Sequence, residues 1–174
     1  MDWTDNNFGN NSGNNIGNDD KLFYLASKET SLEDPNYRYK ISSPIITTTG
    51  KKGNRITWFE NSEYFSENMG GCPSIFFGKY IGNKISCPTY FDKDKNCIAW
   101  KGEYSKELIF NYLMNYVKIY SLCDICDFPE TLLYLDEKKC IYKLCKSCGG
   151  SFLIPSKYMD KTYDYISKNI TQKA

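Results

Sequence analysis

The sequence predicts an α+β protein, and three observations carry that reading. β-Branched and aromatic runs come in pairs separated by polar turns. Residues 104–120 are the longest stretch with helical periodicity. Two C-x2-C pairs stand 18 residues apart. Strand pairs and helices of this kind build a small α/β sandwich domain. The cysteine spacing builds a four-cysteine zinc ribbon after it, closed by a C-terminal helix.

The chain divides into four parts: a leader over 1–33, an α/β domain over 34–121, a ribbon over 122–152, and a helix and tail over 153–174. Residues 1–20 are mostly Asn, Gly and Asp. Such a segment buries too little apolar surface to offset its ordering entropy, so the acidic, Asn-rich leader is expected to be disordered. Leu22, Phe23 and Leu25 form a short apolar cluster the length of a helical turn.

From Ile41 the texture changes. "SPIITTTG" and "RITWFE" flank "GKKGN" and predict a β-hairpin. "NSEYFSENMGG" predicts a short helix with Asn61 as N-cap and Gly70–Gly71 as its stop. "CPSIFFGKYIGN" predicts a second, with Pro73 in the first turn and Gly82–Asn83 at the end. "KISCPTYF" and "CIAWKG" bracket the polar turn "DKDKN", a second strand pair. In the long helix Leu108, Ile109, Tyr112, Leu113, Tyr116, Val117 and Tyr120 share one stripe. That stripe reads as core packing against a sheet rather than as a stacking platform.

Cys123, Cys126, Cys145 and Cys148 are the ligand set. Two residues between cysteines let both thiolates of a knuckle reach one ion at about 2.3 Å. Four thiolates close the coordination sphere, so the zinc, one ion, is structural. Gly149–Gly150 permits the tight turn after the second pair, and "TLLYLDEKKCIYKL" reads as two strands and a turn. Cys72, Cys87, Cys97 and Cys140 have no ligand spacing and read as packed thiols. A ribbon of this size has almost no apolar core, so metal removal is expected to unfold 122–152 and leave the α/β domain standing.

Composition narrows function. Histidine is absent, which excludes His-dependent acid–base chemistry and any catalytic zinc site with a His ligand. No apolar run is long enough to cross a membrane, and the start has no signal-peptide pattern, so a cytoplasmic location is expected. Net charge is +1, but residues 1–34 carry seven acids and two lysines, which leaves a basic surplus in the remainder. That surplus suits a surface facing phosphate or an acidic partner.

The order "YRYK", "KGN", α/β domain, long helix and ribbon resembles the amino-terminal region of eukaryotic translation initiation factor five. That family shares its two modules with the beta subunit of initiation factor two. "CDICDFPETLL" resembles the family's C-P-E-C-x-x-P-E-T-x-L, and "CKSCGG" its C-K-A-C-G. "DPNYRYK" is similar to D-P-F-Y-R-Y-K-M-P, which marks factor five over the beta subunit. The resemblance implies that the chain is no enzyme itself but a GTPase activator acting in trans. Its partners would be the GTP-bound gamma subunit of initiation factor two, initiator tRNA and the small ribosomal subunit, with the chain a monomer. Arg38 matches the arginine required for stimulation. Tyr37 and Tyr39 would orient it, and Lys40, Lys51, Lys52, Asn54 and Arg55 would contact RNA or the GTPase. Thr57 and Ile75 stand where the family has lysines. The family's C-terminal helical-repeat domain, its tether to other factors, is not seen before Ala174, so a lower affinity for the preinitiation complex is expected. Two other readings stay open: a ribosome-binding module without the activity, and a beta-subunit-like scaffold.

Overall fold

A computed structural model describes residues 22–25 and 38–170. The disorder expected for 1–20 and the placement of Tyr37 therefore lie outside the described residues. Within the leader, Leu22–Tyr24 is a strand (β1), not a helical turn; it pairs antiparallel with Lys40–Ser42 (β2). The next residue explains the difference. Leu25 is fully buried, and its N–H donates to the Tyr39 carbonyl at 3.0 Å, so the segment finds its partner across the sheet.

Both expected strand pairs form, and they join into one four-stranded antiparallel sheet. Its strands are β3 (Ile46–Thr49), β4 (Ile56–Phe59), β5 (Thr89–Asp92) and β6 (Cys97–Lys101), in the order β3-β4-β6-β5. Alternation sends Thr57 and Phe59 of β4 into the core and leaves Ile56 and Trp58 on the other face.

The first helix, α1 (Ser62–Asn68), follows Asn61, but the Asn61 side chain caps nothing. It accepts from the Ile45 N–H at 2.8 Å and donates to the Ser43 carbonyl at 3.1 Å, fixing the β2–β3 connection instead. Gly70 and Gly71 stop the helix as expected, both at positive φ.

The second helix, α2 (Ser74–Lys84), does not end at Gly82–Asn83. It packs on β5 and β6 on one side and on two later helices on the other, α3 (Lys106–Tyr116) and α4 (Lys161–Asn169). A helix enclosed in this way is apolar nearly all round. Gly78 and Gly82, one turn apart, face the sheet: a Cβ on Gly82 would lie 2.4 Å from Thr89 Oγ1 and 2.6 Å from the Cys87 carbonyl. The missing side chains let Thr89 Oγ1 donate to the Gly78 carbonyl at 2.7 Å and Trp100 Nε1 donate to Thr89 Oγ1 at 3.1 Å. Gly82 is a close-approach residue, not a stop.

In α3, Ser105 is the N-cap, accepting from the Leu108 N–H at 3.2 Å. Ile109, Leu113, Tyr116, Val117 and Tyr120 are buried as the stripe requires, while Leu108 lies at its exposed edge. Beyond Tyr116 the helix widens into a π turn, Val117–Ser121. Thr131 Oγ1 donates to the Ser121 carbonyl at 2.7 Å, satisfying one of the last carbonyls and tying the helix to the cysteine module.

That module is a three-stranded antiparallel sheet: β7 (Thr131–Leu135), β8 (Ile141–Cys145) and β9 (Ser151–Leu153). Sequence reading found the first two strands and not the third. After a short 3-10 turn, α4 begins at an Asp160 cap and lies on α2. Tyr163 Oη accepts from the Ile141 N–H at 2.8 Å, and Leu122, Ile141 and Ile154 belong to the same buried cluster as Tyr116 and Tyr120. The apolar core thus runs from the large sheet into the cysteine module.

Candidate metal centre and the seat of Arg38

Each C-x2-C pair forms a knuckle of the same shape. After the second cysteine the backbone turns left-handed, at Asp127 (φ 61°) in the first and Gly149 (φ 74°) in the second. The N–H of that residue donates back to the first cysteine's carbonyl, Asp127 to Cys123 and Gly149 to Cys145, each at 3.0 Å. Sequence reading recognised the glycine and missed the aspartate, although Asp tolerates this region better than most side chains.

The knuckles bring the four sulfurs together, all within 4.8 Å of one another. Cys123 Sγ is 3.5 Å from Cys148 Sγ, and Cys126 Sγ is 3.6 Å from Cys145 Sγ. A tetrahedral ion with Zn–S bonds of about 2.3 Å sets its sulfurs about 3.8 Å apart, so the cluster fits one such ion. The Ile125 N–H also points at Cys123 Sγ, 3.4 Å away. Burial raises the Cys123 thiol pKa, but backbone N–H groups of Cys126 and Ile125 outweigh it and bring the value down to about 7. The remaining cysteines lie outside the cluster: Cys72 Sγ meets Tyr116 Oη at 2.8 Å, and Cys97 is buried in β6.

The residues that follow the first knuckle make a seat for Arg38. Arg38 Nη2 donates to Glu130 Oε1 at 2.8 Å, and the guanidinium lies 5.0 Å from the Tyr39 ring and 5.3 Å from the Phe128 ring. Those rings contact each other at 5.3 Å. The Arg38 side chain is still 63% exposed, so it is held without being enclosed. Its charge stands at the junction of β2 and the cysteine module, and the first knuckle also places Phe128 and Glu130. No periodicity joins positions 38 and 130, and sequence reading named no partner for Arg38.

The remaining expected contact residues fall elsewhere. Lys40 opens β2 and is half-buried. Lys51, Lys52 and Asn54 are exposed on the β3–β4 turn, where Gly50 and Gly53 take positive φ. Arg55 forms an ion pair with Glu103, so its charge is already engaged. Thr57 is fully buried, donating to the Gly102 carbonyl at 2.9 Å and accepting from the Tyr104 N–H at 3.1 Å. A cation at that position would lie inside the sandwich. The positions thus split into two groups: Arg38 and Tyr39 against the cysteine module, Lys51 to Arg55 on the hairpin turn.

An α/β sandwich whose core continues into a four-thiol ribbon defines a two-module class of protein. Residues 29–151 match the family described as the domain found in initiation factors two-B and five, and the chain belongs to that family. It is similar to eukaryotic translation initiation factor 5 of Caenorhabditis elegans, 30% identical over 139 residues that cover 80% of this chain and 31% of the relative. The factor of Mus musculus is 28% identical over 140 residues, covering 80% and 32%. That of Saccharomyces cerevisiae is 28% identical over 137 residues, covering 78% and 33%. The chain spans about a third of the length of the curated relatives it matches. Among the described residues no helix is long and apolar enough to cross a membrane.

Proposed function

We propose that the chain works as a translation initiation factor of the factor-five type, stimulating GTP hydrolysis by the gamma subunit of initiation factor two during start-codon recognition. It acts in trans, in the cytoplasm, as a monomer, and carries out no bond-breaking step of its own. Its four thiolates hold one structural zinc ion, which supplies architecture and no open coordination site.

The observation that supports this reading is the exposed, lightly held guanidinium of Arg38. GTP hydrolysis spreads negative charge over the γ-phosphate oxygens, and a planar cation from a partner can stabilise it. Arg38 must leave Glu130 to do so. An exposed ion pair is worth about 0–1 kcal/mol and each exposed ring contact about 0.5–1 kcal/mol. A finger arginine gains on the order of 10³-fold or more in rate, about 4 kcal/mol. The gain exceeds the cost of leaving, so the seat can present the residue without disabling it. Lys51 and Lys52, exposed on the hairpin turn and in no ion pair among the described residues, suit phosphate contacts with initiator tRNA or ribosomal RNA.

The test is to add the purified chain to reconstituted initiation complexes and follow one round of GTP hydrolysis. A faster rate supports the proposal. Binding to the small subunit with no change in rate would identify a non-catalytic module, and a stable one-to-one complex with the gamma subunit alone would identify a scaffold.

A further inference from the structure

We infer that the open face of the four-stranded sheet is a second binding site, in which Trp58 and Tyr90 clasp an unstacked base of single-stranded RNA. This site is independent of Arg38. Strand alternation sends Thr57, Phe59, Ile98 and Trp100 toward the helices and leaves Ile56, Trp58, Ala99, Lys101 and Tyr90 on the opposite face. Register then does something the sequence could not announce. Trp58 pairs with Ala99 on one side of β6, and Tyr90 pairs with the same Ala99 on the other. Two aromatics therefore stand in one cross-strand row with an alanine between them.

Neighbouring strands lie about 4.8 Å apart, which puts the two aromatic positions about 9.6 Å apart across the row. A flat ring in contact on both faces needs about 3.5 Å per contact, roughly 7 Å in all. Ala99 contributes only a methyl between them, itself covered (1% exposed), so the groove lies above it. The result is a groove of about 270 Å³ lined by Asn54, Ile56, Trp58, Tyr90, Ala99 and Lys101. That is below the usual range of about 300–1,000 Å³ for small-molecule pockets and suits a single ring system. Trp58 is set in place by its Nε1–H, which donates to Thr49 Oγ1 at 2.8 Å, while Tyr90 is 54% exposed with its ring available.

Charge decides the occupant. Lys95 Nζ sits 3.8 Å from the Trp58 ring centroid. Lys101 lines the groove and also the adjoining depression, where Lys52 adds a cation and Arg55 is paired with Glu103. Cations thus continue from the aromatic row to the basic hairpin turn. Of the nearby acids, Glu103 is paired with Arg55, while Glu60, Asp92 and Asp94 keep their charge against Lys93, Lys95, Lys101 and Lys52. Aromatic walls beside a basic track are how proteins hold single-stranded nucleic acid, with base stacking tolerant of sequence.

The experiment is fluorescence anisotropy of a labelled oligouridylate about ten nucleotides long with the full chain, no GTPase being present. Tyr90→Ala is expected to weaken binding about tenfold or more, whereas Tyr90→Phe and Arg38→Ala leave it near the wild-type value. Lys101→Ala is expected to lower the dependence of log affinity on log salt by about one unit. Circular dichroism melting of Tyr90→Ala checks that the fold persists; should that variant melt early, Trp58→Phe against Trp58→Leu carries the same comparison. No binding by the wild type, equal affinity for duplex RNA, or affinity unchanged in Tyr90→Ala would overturn the assignment. So would Tyr90-dependent binding of a protein of the initiation complex without any RNA affinity.

Discussion

Replacing Gly82 by alanine separates two accounts of α2. If Gly82 were a left-handed helix stop, alanine there would cost about 1–2 kcal/mol from backbone strain alone. In an ordinary helix interior it would stabilise by about 0.8–1 kcal/mol. The structure says otherwise. The new Cβ would lie 2.4 Å from Thr89 Oγ1 and 2.6 Å from the Cys87 carbonyl, and one of these is backbone that cannot swing aside. Overpacking of this kind costs about 1–3 kcal/mol. Moving Thr89 also disturbs its bond to the Gly78 carbonyl and the bond it accepts from Trp100, each worth about 1 kcal/mol net. After the helix-propensity gain is set against these losses, Gly82→Ala is expected to destabilise by about 2–4 kcal/mol. For a chain of this length that lowers the midpoint by roughly 5–15 °C. Gly78→Ala is the control. Its Cβ would meet side-chain atoms and no backbone, Ile98 Cδ1 and Thr89 Cγ2 at 3.0 Å and Ile98 Cγ2 at 3.4 Å, so its cost should be smaller, about 1–2 kcal/mol. Circular dichroism melting of both variants is the assay. A Gly82→Ala protein as stable as wild type would refute the close-approach argument.

Three further outcomes follow from the same geometry. Removing the metal with a chelator should cost the cysteine module its order and lower the α/β domain's midpoint, because Leu122, Ile141 and Ile154 complete the shared core; loss of both in a single cooperative step, followed by hydrogen exchange, would contradict separate modules. Raising pH should destabilise the protein. Burial pushes the Cys72 thiol from 9.0 to about 12 and the Tyr80 phenol from 10.0 to about 12, so the stability their neutral forms provide is complete below about pH 9 and is lost as pH climbs toward 12; a melting midpoint constant across that window would be inconsistent with it. Glu130→Gln removes the carboxylate that holds Arg38 at rest, and because an exposed pair is worth at most about 1 kcal/mol, stimulation of GTP hydrolysis should rise, by less than about fivefold. A large loss would instead make Glu130 part of the working geometry.

What could be read from the chain follows from where the physics is local. The cysteine cluster was legible because a knuckle is built from four adjacent residues, and both hairpins because β-branched runs flank polar turns. The long helix was legible from its stripe. Other features depend on distant partners. Leu22–Tyr24 becomes a strand only because β2 lies beside it, Asn61 serves the loop before it rather than the helix after it, and Gly82 is set by Thr89. The Arg38 seat joins residues 92 apart, and the Trp58–Ala99–Tyr90 row exists only once three strands have chosen their register. The family resemblance pointed to Arg38 but could not say what holds it.

The central claim is that Arg38 is the group this chain lends to a GTPase. The most direct test is single-turnover GTP hydrolysis by reconstituted initiation complexes with wild-type protein, Arg38→Lys and Arg38→Ala, each checked for equal binding to the small subunit. The expected result is stimulation by the wild type, loss of most of it in Arg38→Lys, where a point charge replaces a planar fork, and its absence in Arg38→Ala. Equal stimulation by all three, with binding intact, would contradict the claim.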